Sequence, residues 1–319
     1  MNLVPLPGCR VYQAIPGFED HLITELQKAG AEPQPIGGTA LLLAELPAAR
    51  AANIFWHQNC WLDPFRLEVD SINEAASALR SIQRNWDACL HGWFRRGSLI
   101  VSKLPPISRK SRPFPWLLPE TPVGAWALLD EHTIIASPRT SSPFPNGVIE
   151  FEEDKSGPPS RAYLKLWEAL VRLRRWPGPG ERCLDAGASP GGWTWALARL
   201  GAQVTAVDRA PLEDRIAAMG GVEYIRHDAF TLKPEDIGPI DWLFCDVICY
   251  PPRLFAWIEK WLAAGLCGNF VCTIKMQGNA GGAADFETPC RFAAIPGGTV
   301  VHLYHNKHEL TWIKSGPGK

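Results

Sequence analysis

A glycine-rich segment in the C-terminal half has the residue types of a nucleotide-binding loop. From Leu184 to Thr194 it reads Leu-Asp-Ala-Gly-Ala-Ser-Pro-Gly-Gly-Trp-Thr, with a strand-like apolar pattern before it and a helix-like one after it. Glycines let a ligand approach the backbone, and free N–H groups at a helix start can bind it. We expect the helix to begin near Pro190, because a fixed φ suits the first turn.

The spacing of these glycines argues against a dinucleotide. The dinucleotide fingerprint is G-x-G-x-x-G, whereas this loop reads Gly187-x-x-x-Gly191-Gly192 with a proline inside it. An ordinary tight turn between a strand and a helix is the alternative interpretation. The residues that follow decide between the two.

Acidic residues end four successive apolar segments: Asp185, Asp208, Asp228 and Asp246. Ligands of open α/β sheets bind beyond the carboxyl ends of the strands, so these side chains should face one crevice. There Asp208 can accept both ribose hydroxyls of a nucleoside, and Asp228 can reach an adenine amino group. Each aspartate alone would be an ordinary strand-end residue, but their order after the glycine loop favours a nucleoside site.

The elements that must position these residues alternate between strand and helix beyond residue 150. Strands are expected over 182–186, 203–208, 223–227, 242–247 and 270–275, followed by an antiparallel pair over 299–303 and 310–314. Helices are expected over 161–176 with Ser160 as its cap, 191–200, 211–219 and 253–263. This alternation predicts an α/β fold with a parallel, doubly wound, Rossmann-like sheet.

The N-terminal half has two charge regimes. Residues 1–65 carry three basic and six acidic residues, with strands expected over 11–15 and 39–46 and helices over 17–29 and 47–56. Residues 80–112 carry eight basic residues against Asp87 alone, with Trp86, Trp93 and Phe94 interleaved. Basic and aromatic residues together suit phosphate contact and base stacking. A solvated basic face whose aromatics belong to the core remains the alternative.

Composition limits the class of protein. With 319 residues, 46% of them hydrophobic, the chain has room for two domains, and a proline- and serine-rich segment over 138–159 suggests a boundary near residue 150. The net charge of −1 gives no general attraction to nucleic acid, so a local patch must provide it. The nine cysteines form no C-x-x-C pair. We therefore expect a cytoplasmic monomer with reduced thiols, no metal and no membrane span.

The loop motif D-x-G-x-x-P-G-G-W over 185–193 resembles that of FtsJ/RrmJ-like RNA ribose methyltransferases. The resemblance implies a Rossmann-like methyltransferase domain over 151–319 that uses S-adenosyl-L-methionine (SAM). The residues expected to bind SAM are Ser160, Gly187, Ser189, Pro190, Gly191, Gly192, Trp193, Asp208, Asp228 and Asp246.

The same family uses a Lys-Asp-Lys-Glu tetrad to methylate a ribose 2′-hydroxyl, and the local sequences match it at Lys165, Asp246, Lys275 and Glu309. This hydroxyl is a very weak acid, so positioning matters as much as basicity. A lysine can act as a base only if its surroundings lower its pKa. We expect Lys275 to be the base or a steering cation, with the other three holding and orienting it.

Within the family, residues 145–315 most resemble members that methylate large-subunit ribosomal RNA. This implies RNA as the partner, 23S rRNA or a precursor particle, and an N-terminal α+β RNA-binding region over 1–150, ferredoxin-like over about 1–65 and THUMP-like over about 66–145. The N-terminal half is short for a ferredoxin-like region and a THUMP-like domain together. After Lys275, residues 277–282 stand where the resemblance implies a basic helical stretch. The expected RNA contacts are Arg95, Arg96, Arg109, Lys110 and Arg112.

Three alternatives stay open. Cytosine-5 RNA methyltransferases attack with a cysteine, and Cys249 follows Asp246 at their spacing, with Cys272 on the fifth strand. The usual preceding proline is missing, and such chemistry gives no reason for the lysines and Glu309. Amino-group methyltransferases need Asn/Asp-Pro-Pro-aromatic, which residues 249–252 present in scrambled order. A catalytically inactive RNA-binding protein would not need the four aspartates.

Overall fold

The computed structural model describes residues 2–36, 40–276 and 284–316. The chain divides into two compact units. The first unit contains the residues up to Arg112 and Leu118–Glu150, and the second contains Pro113–Leu117 and the chain from Phe151 onward. The division at residue 150 falls inside the proline- and serine-rich segment.

The first unit is built on two sheets. Its strands are β1 (Asn2–Pro5), β2 (Cys9–Ala14), β3 (Gln34–Ile36), β4 (Leu41–Glu45), β5 (His57–Trp61), β6 (Phe65–Glu68), β7 (Trp86–Ala88), β8 (Gly124–Leu128) and β9 (Thr133–Ser137). Its helices are α1 (Glu19–Lys28), α2 (Ala48–Ala51), α3 (Ile72–Ile82) and α4 (Phe94–Val101). One sheet has the order β3-β4-β2-β5 and the other β1-β6-β9-β8-β7. The ferredoxin-like and THUMP-like interpretations stay predictions.

The predicted helix over residues 47–56 is wrong in length, because only the single turn α2 forms. A buried carboxylate competes for the backbone that would have continued it. Glu25 of α1 accepts hydrogen bonds from the N–H groups of Phe55 and Trp56 at 2.8 and 2.9 Å. Burial raises the pKa of Glu25 to about 8, and these two hydrogen bonds oppose the shift. Residue 39, the predicted start of the next strand, lies outside the described residues.

The aromatic residues interleaved with the basic stretch separate into two groups. Trp86 is a core residue, 3% exposed, and its indole N–H donates to the carbonyl oxygen of Leu79 at 2.7 Å. Trp93 and Phe94 are 50% and 61% exposed. Trp86 therefore agrees with the alternative interpretation, in which the aromatic residues belong to the core, because from β7 it packs against α3.

The second unit has one seven-stranded sheet of order β12-β11-β10-β13-β14-β16-β15. Its strands are β10 (Arg182–Ala186), β11 (Gln203–Asp208), β12 (Val222–Arg226), β13 (Ile240–Cys245), β14 (Cys267–Lys275), β15 (Gly298–Val301) and β16 (Glu309–Lys314). Its helices are α5 (Tyr163–Leu173), α6 (Gly192–Arg199), α7 (Asp214–Ala217), α8 (Pro234–Ile237), α9 (Pro251–Ala264) and α10 (Glu287–Ala293). Strands β10–β14 pair in parallel and β16 pairs antiparallel with β14 and β15. The predicted Rossmann-like sheet is confirmed.

Two local expectations in this unit are wrong, and a third is met. Helix α5 begins at Tyr163 rather than Arg161, so Ser160 is not its cap; its hydroxyl instead accepts from the N–H of Ala162 at 3.4 Å. Helix α6 begins at Gly192, close to Pro190 as expected, with Gly191 at φ +116° as its cap residue. The helix expected over 211–219 is only the single turn α7.

Over residues 2–36, 40–276 and 284–316, no helix is both long enough and apolar enough to cross a lipid bilayer.

Candidate active site

Neighbouring strands of the second sheet carry three of the four predicted tetrad residues. Asp246 follows the last residue of β13, Lys275 ends the adjacent β14, and Glu309 begins β16. Lys275 and Glu309 are direct partners in the antiparallel pairing of β14 with β16. The fourth residue, Lys165, lies in the first turn of α5. The order of the strands therefore brings residues from four separate segments to one place.

These four side chains, called the tetrad below, form a closed ring of alternating charges. Nζ of Lys165 lies 2.8 Å from Oδ2 of Asp246 and 2.8 Å from Oε1 of Glu309. Nζ of Lys275 lies 2.6 Å from Oδ1 of Asp246 and 2.6 Å from Oε2 of Glu309. The side chains are 9–17% exposed. Each carboxylate bridges both ammonium groups, which fixes the geometry of all four.

The ring determines which protonation states are stable. Burial alone would raise the pKa of Asp246, but Lys165 and Lys275 reverse the effect and hold that pKa below its usual value. Burial would lower the pKa of Lys275, but Asp246 and Glu309 raise it above its usual value. In the free protein Lys275 is therefore an ammonium ion. The lowered pKa that a lysine base requires is not provided by these contacts.

Glu168 supports the tetrad and was missed by the sequence analysis. It lies one turn after Lys165 on α5 and is fully buried. Its carboxylate accepts from the backbone N–H groups of Tyr304 and His305 at 3.0 and 3.1 Å, and it pairs with Arg172. Glu168 thus ties the segment before Glu309 to the helix that carries Lys165. The sequence signal that could have identified Glu168 is an acidic residue within the otherwise apolar pattern of α5.

The loop after β10 depends on its glycines. Gly187 has φ +82°, and a Cβ atom there would lie 2.6 Å from Cγ2 of Val247. A Cβ atom on Gly192 would lie 2.7 Å from Oγ of Ser160. The N–H of Ser189 donates to Oδ2 of Asp208 at 3.0 Å. The loop is therefore held close to the ends of β11 and β13, as a ligand-binding loop at this sheet edge must be.

A crevice of about 130 Å³ lies beside this loop at the carboxyl ends of β10–β13. Three predicted cofactor residues, Gly187, Asp208 and Asp228, line it. Phe230 and Arg253 also line it and were not predicted. Burial raises the pKa of Asp228, but the Phe230 amide and the cations Arg209 and Arg253 hold it below its usual value.

The electrostatics of the crevice suit a cationic nucleoside such as SAM. Asp185 is buried beneath the loop and accepts from the Thr194 hydroxyl at 2.6 Å. Burial, with a smaller effect of the negative charges of Asp246 and Asp208, raises its pKa to about 7, and the Thr194 hydrogen bond opposes the shift. Of the two aspartates that line the crevice, Asp228 is paired with Arg209 and Arg253, which leaves Asp208 as the carboxylate for a hydroxyl-bearing or positively charged ligand. The residues present therefore fit SAM, which carries a sulfonium and an ammonium group.

Two further residues of the predicted cofactor site, Trp193 and Ser160, have contacts within the protein. Trp193 is 4% exposed, and its indole N–H donates to the carbonyl oxygen of Ala162 at 2.8 Å. Ser160 packs against Gly192, as described above. Both residues join the start of α5 to the glycine loop, so this loop and Lys165 are positioned together.

Burial argues against cysteine chemistry in this site. It raises the pKa of Cys249 to about 11 and places that of Cys272 well above the usual value. A nucleophilic cysteine needs the opposite shift, because the thiolate is the attacking species.

The predicted RNA contacts differ in accessibility. Arg95 and Lys110 are exposed. The side chain of Arg96 is only 16% exposed and lies 3.9 Å from Glu131, while Arg109 donates to Asp87. Arg112 is half-buried. Contact with RNA stays a prediction for all five, and it is geometrically simplest for Arg95 and Lys110.

Residues 158–280 match the family model described as FtsJ-like methyltransferase. This range contains Lys165, Asp246 and Lys275 of the tetrad, whereas Glu309 lies beyond it. It also contains Gly187, Asp208 and Asp228 of the crevice.

Curated proteins named ribosomal RNA large subunit methyltransferase M are similar to much of the chain. The protein from Azotobacter vinelandii is 32% identical over 200 residues, which cover 56% of this chain and 53% of that protein. The one from Azoarcus sp. is 38% identical over 141 residues, covering 42% and 38%. The one from Xanthomonas campestris is 33% identical over 210 residues, covering 64% and 57%. The chain thus spans about half the length of the curated relatives it matches.

Proposed function

We propose that this chain, in which residues 158–280 form an FtsJ-like methyltransferase domain, transfers a methyl group from SAM to a ribose 2′-hydroxyl of large-subunit ribosomal RNA. The closed Lys165–Asp246–Lys275–Glu309 ring beside the crevice is the observation that carries the proposal. The substrate class follows from the names of the relatives. A ribosomal substrate, 23S rRNA or its precursor particle, also implies a cytoplasmic activity.

The crevice would hold the cofactor. Asp208 has lone pairs left for the ribose hydroxyls, Asp228 lies where the adenine amino group is expected, and Gly187 leaves room beside Val247. SAM supplies an electrophilic methyl group when it is bound. The contact of Ser189 with Asp208 would keep the loop in place around it.

Lys275 would act on the reacting hydroxyl. Its ammonium group orients the 2′-oxygen and stabilises the negative charge that develops there. Asp246 and Glu309 hold Nζ in position, and Lys165 keeps both carboxylates in place. Beside a cationic cofactor the pKa of Lys275 falls from its raised value. Once Lys275 has released its ammonium proton to solvent, the neutral amine can accept the hydroxyl proton as the 2′-oxygen forms its bond to the methyl carbon and the bond from that carbon to the sulfonium sulfur breaks.

Exposed apolar side chains flank the tetrad and would contact the target nucleotide. Ile248 and Tyr250, 73% and 54% exposed, lie in the segment that begins at Asp246. Tyr304, 40% exposed, is anchored through its N–H to Glu168, one turn from Lys165. Exposed tyrosine rings can stack on unpaired bases.

The decisive experiment is Lys275→Ala. Methyl transfer to ribosomal RNA should fall by about 100- to 10,000-fold, because the group acting on the hydroxyl is lost. SAM affinity, measured by calorimetry, should change little. Mapping of 2′-O-methyl groups in the RNA product identifies the reaction.

The exposed Lys260→Ala on α9 serves as the matched control and should keep full activity. Cys249→Ala should also remain active. An active Lys275→Ala protein together with an inactive Cys249→Ala protein would overturn the proposal in favour of methylation at a base carbon.

A further inference from the structure

The first unit contains a cavity of about 620 Å³ between β7, α4 and the segment after α4. Most of its wall is apolar and includes Trp86, Leu90, Val101, Leu104, Pro105 and Ile107. Its volume lies in the range of small-ligand sites, ~300–1,000 Å³. A flat apolar ring system is therefore a suitable occupant.

One end of this cavity is polar. Asp87 and Arg109 both line it, and Oδ1 of Asp87 accepts a hydrogen bond from Nη2 of Arg109. The Asp87 side chain is 7% exposed; the Ala88 N–H also acts on its carboxylate, and its buried Oδ2 has no partner in hydrogen-bond geometry among the residues the structure describes. Such an oxygen is costly to bury without a donor, so a ligand that donates to it gains affinity. The cavity thus ends at an incompletely satisfied carboxylate beside a guanidinium group.

That pair of groups matches one nucleobase particularly well. Guanine has two adjacent donors, N1–H and the N2 amino group, next to the O6 acceptor. Cytosine offers a carboxylate only its N4 amino group, and uracil only one N–H between two carbonyl groups. A carboxylate beside an arginine therefore favours the guanine edge.

The surroundings favour a base that belongs to RNA. Asp87 is the one acidic residue between Arg80 and Arg112, among eight basic ones. Basic residues outside the cavity can bind the neighbouring phosphates while the carboxylate inside it binds the base. RNA-binding proteins commonly bind unpaired bases by this combination of apolar contact and edge hydrogen bonds.

We propose that this cavity binds an unpaired guanine of the RNA substrate. Asp87 accepts from N1–H and the N2 amino group, and Arg109 donates to O6. The proposal rests on the proposed function insofar as the guanine belongs to the RNA that is methylated. It adds a base-specific site to a region for which only phosphate contact and stacking were expected.

The first test measures binding of mononucleotides to the full chain by calorimetry. GMP should bind about tenfold more tightly than AMP, CMP or UMP, because only guanine satisfies both groups. IMP lacks the N2 amino group and should bind more weakly than GMP. Undetectable GMP binding at millimolar concentration, or equal affinity for the four nucleotides, would overturn the proposal.

The second test fills the cavity. Val101 lines it and is 43% exposed, so Val101→Trp should occupy it without disturbing the core. Leu99 is 44% exposed on the same helix and does not line the cavity, so Leu99→Trp is the matched control. Val101→Trp should remove the GMP preference and weaken RNA binding about tenfold, whereas Leu99→Trp should change neither. Equal RNA and GMP binding by both variants would overturn the proposal.

The failure of this proposal can be distinguished from failure of the methyltransferase proposal. A wild-type protein that methylates ribosomal RNA but shows no GMP preference would refute the cavity site alone. A protein that prefers GMP but methylates no RNA would refute the methyltransferase proposal alone. Asp87→Asn, which keeps the shape but replaces one carboxylate oxygen with a donor, should lose the preference for GMP over IMP.

Discussion

Asp246 in the second unit and Asp87 in the first are both buried aspartates beside cations, but their pKa values shift in opposite directions. Two ammonium groups face Asp246 and hold its pKa below the usual value. One half-exposed guanidinium faces Asp87, and there burial prevails and raises the pKa. The number and burial of the partners therefore decide the direction in which the pKa of a buried carboxylate shifts. Each carboxylate oxygen of Asp246 has an ammonium partner, whereas Oδ2 of Asp87 has no partner in hydrogen-bond geometry among the described residues.

Removing one cation from the tetrad should produce the largest effect. In Lys165→Met, Asp246 and Glu309 are left with Lys275 alone, and the second unit should lose about 3–5 kcal/mol of unfolding free energy, since a buried charge is left unpaired. Denaturant titration measures the loss, with Lys260→Met as the exposed control. If Lys165→Met kept the wild-type free energy of unfolding, the ring would contribute little to stability. The difference drawn between the pairing of Asp246 and that of Asp87 would then have no energetic consequence.

The two aspartates should also differ in how stability depends on pH. The lowered pKa of Asp246 contributes stability that is present above its unfolded pKa and is lost as the pH falls through the lower folded value. The raised pKa of Asp87 acts in the opposite direction, because ionisation costs more in the folded protein. Stability of the first unit therefore falls as the pH rises from the unfolded pKa through the raised folded value.

Asp87→Asn removes this ionisation, so its unfolding free energy relative to wild type should increase as the pH rises from 4 to 7. Thermal melting of both proteins across that range measures the difference. A difference that is constant with pH would mean that Asp87 titrates as an ordinary exposed aspartate.

The smallest effect is expected from the exposed cations of the first unit. Arg95→Ala combined with Lys110→Ala should lower RNA affinity and reduce the dependence of binding on salt by about two in the log–log slope, because each phosphate contact releases counterions. GMP binding in the cavity should not change. An unaltered salt slope would show that these cations are only a solvated face.

Most of the second unit could be predicted from the amino-acid sequence, because the signals for its elements are local. Strands and helices follow from the spacing of apolar residues, and parallel strands must present their carboxyl ends at one edge. The residues Asp208, Asp228 and Asp246 were therefore placed correctly at that edge. The four tetrad residues came from a resemblance to a known family, and they lie within ion-pair distance of one another.

Features that depend on contacts between distant parts of the chain could not be predicted before the fold was known. The buried Glu25 ended a predicted helix by accepting N–H groups 30 residues away. Glu168 was found to tie the segment before Glu309 to α5, and Arg96 was found mostly buried rather than on the surface. The protonation of Lys275, the shift at Asp87 and the cavity beside it follow from which groups surround each charge after folding, because desolvation and ion pairing depend on distances in space that no spacing in the chain specifies.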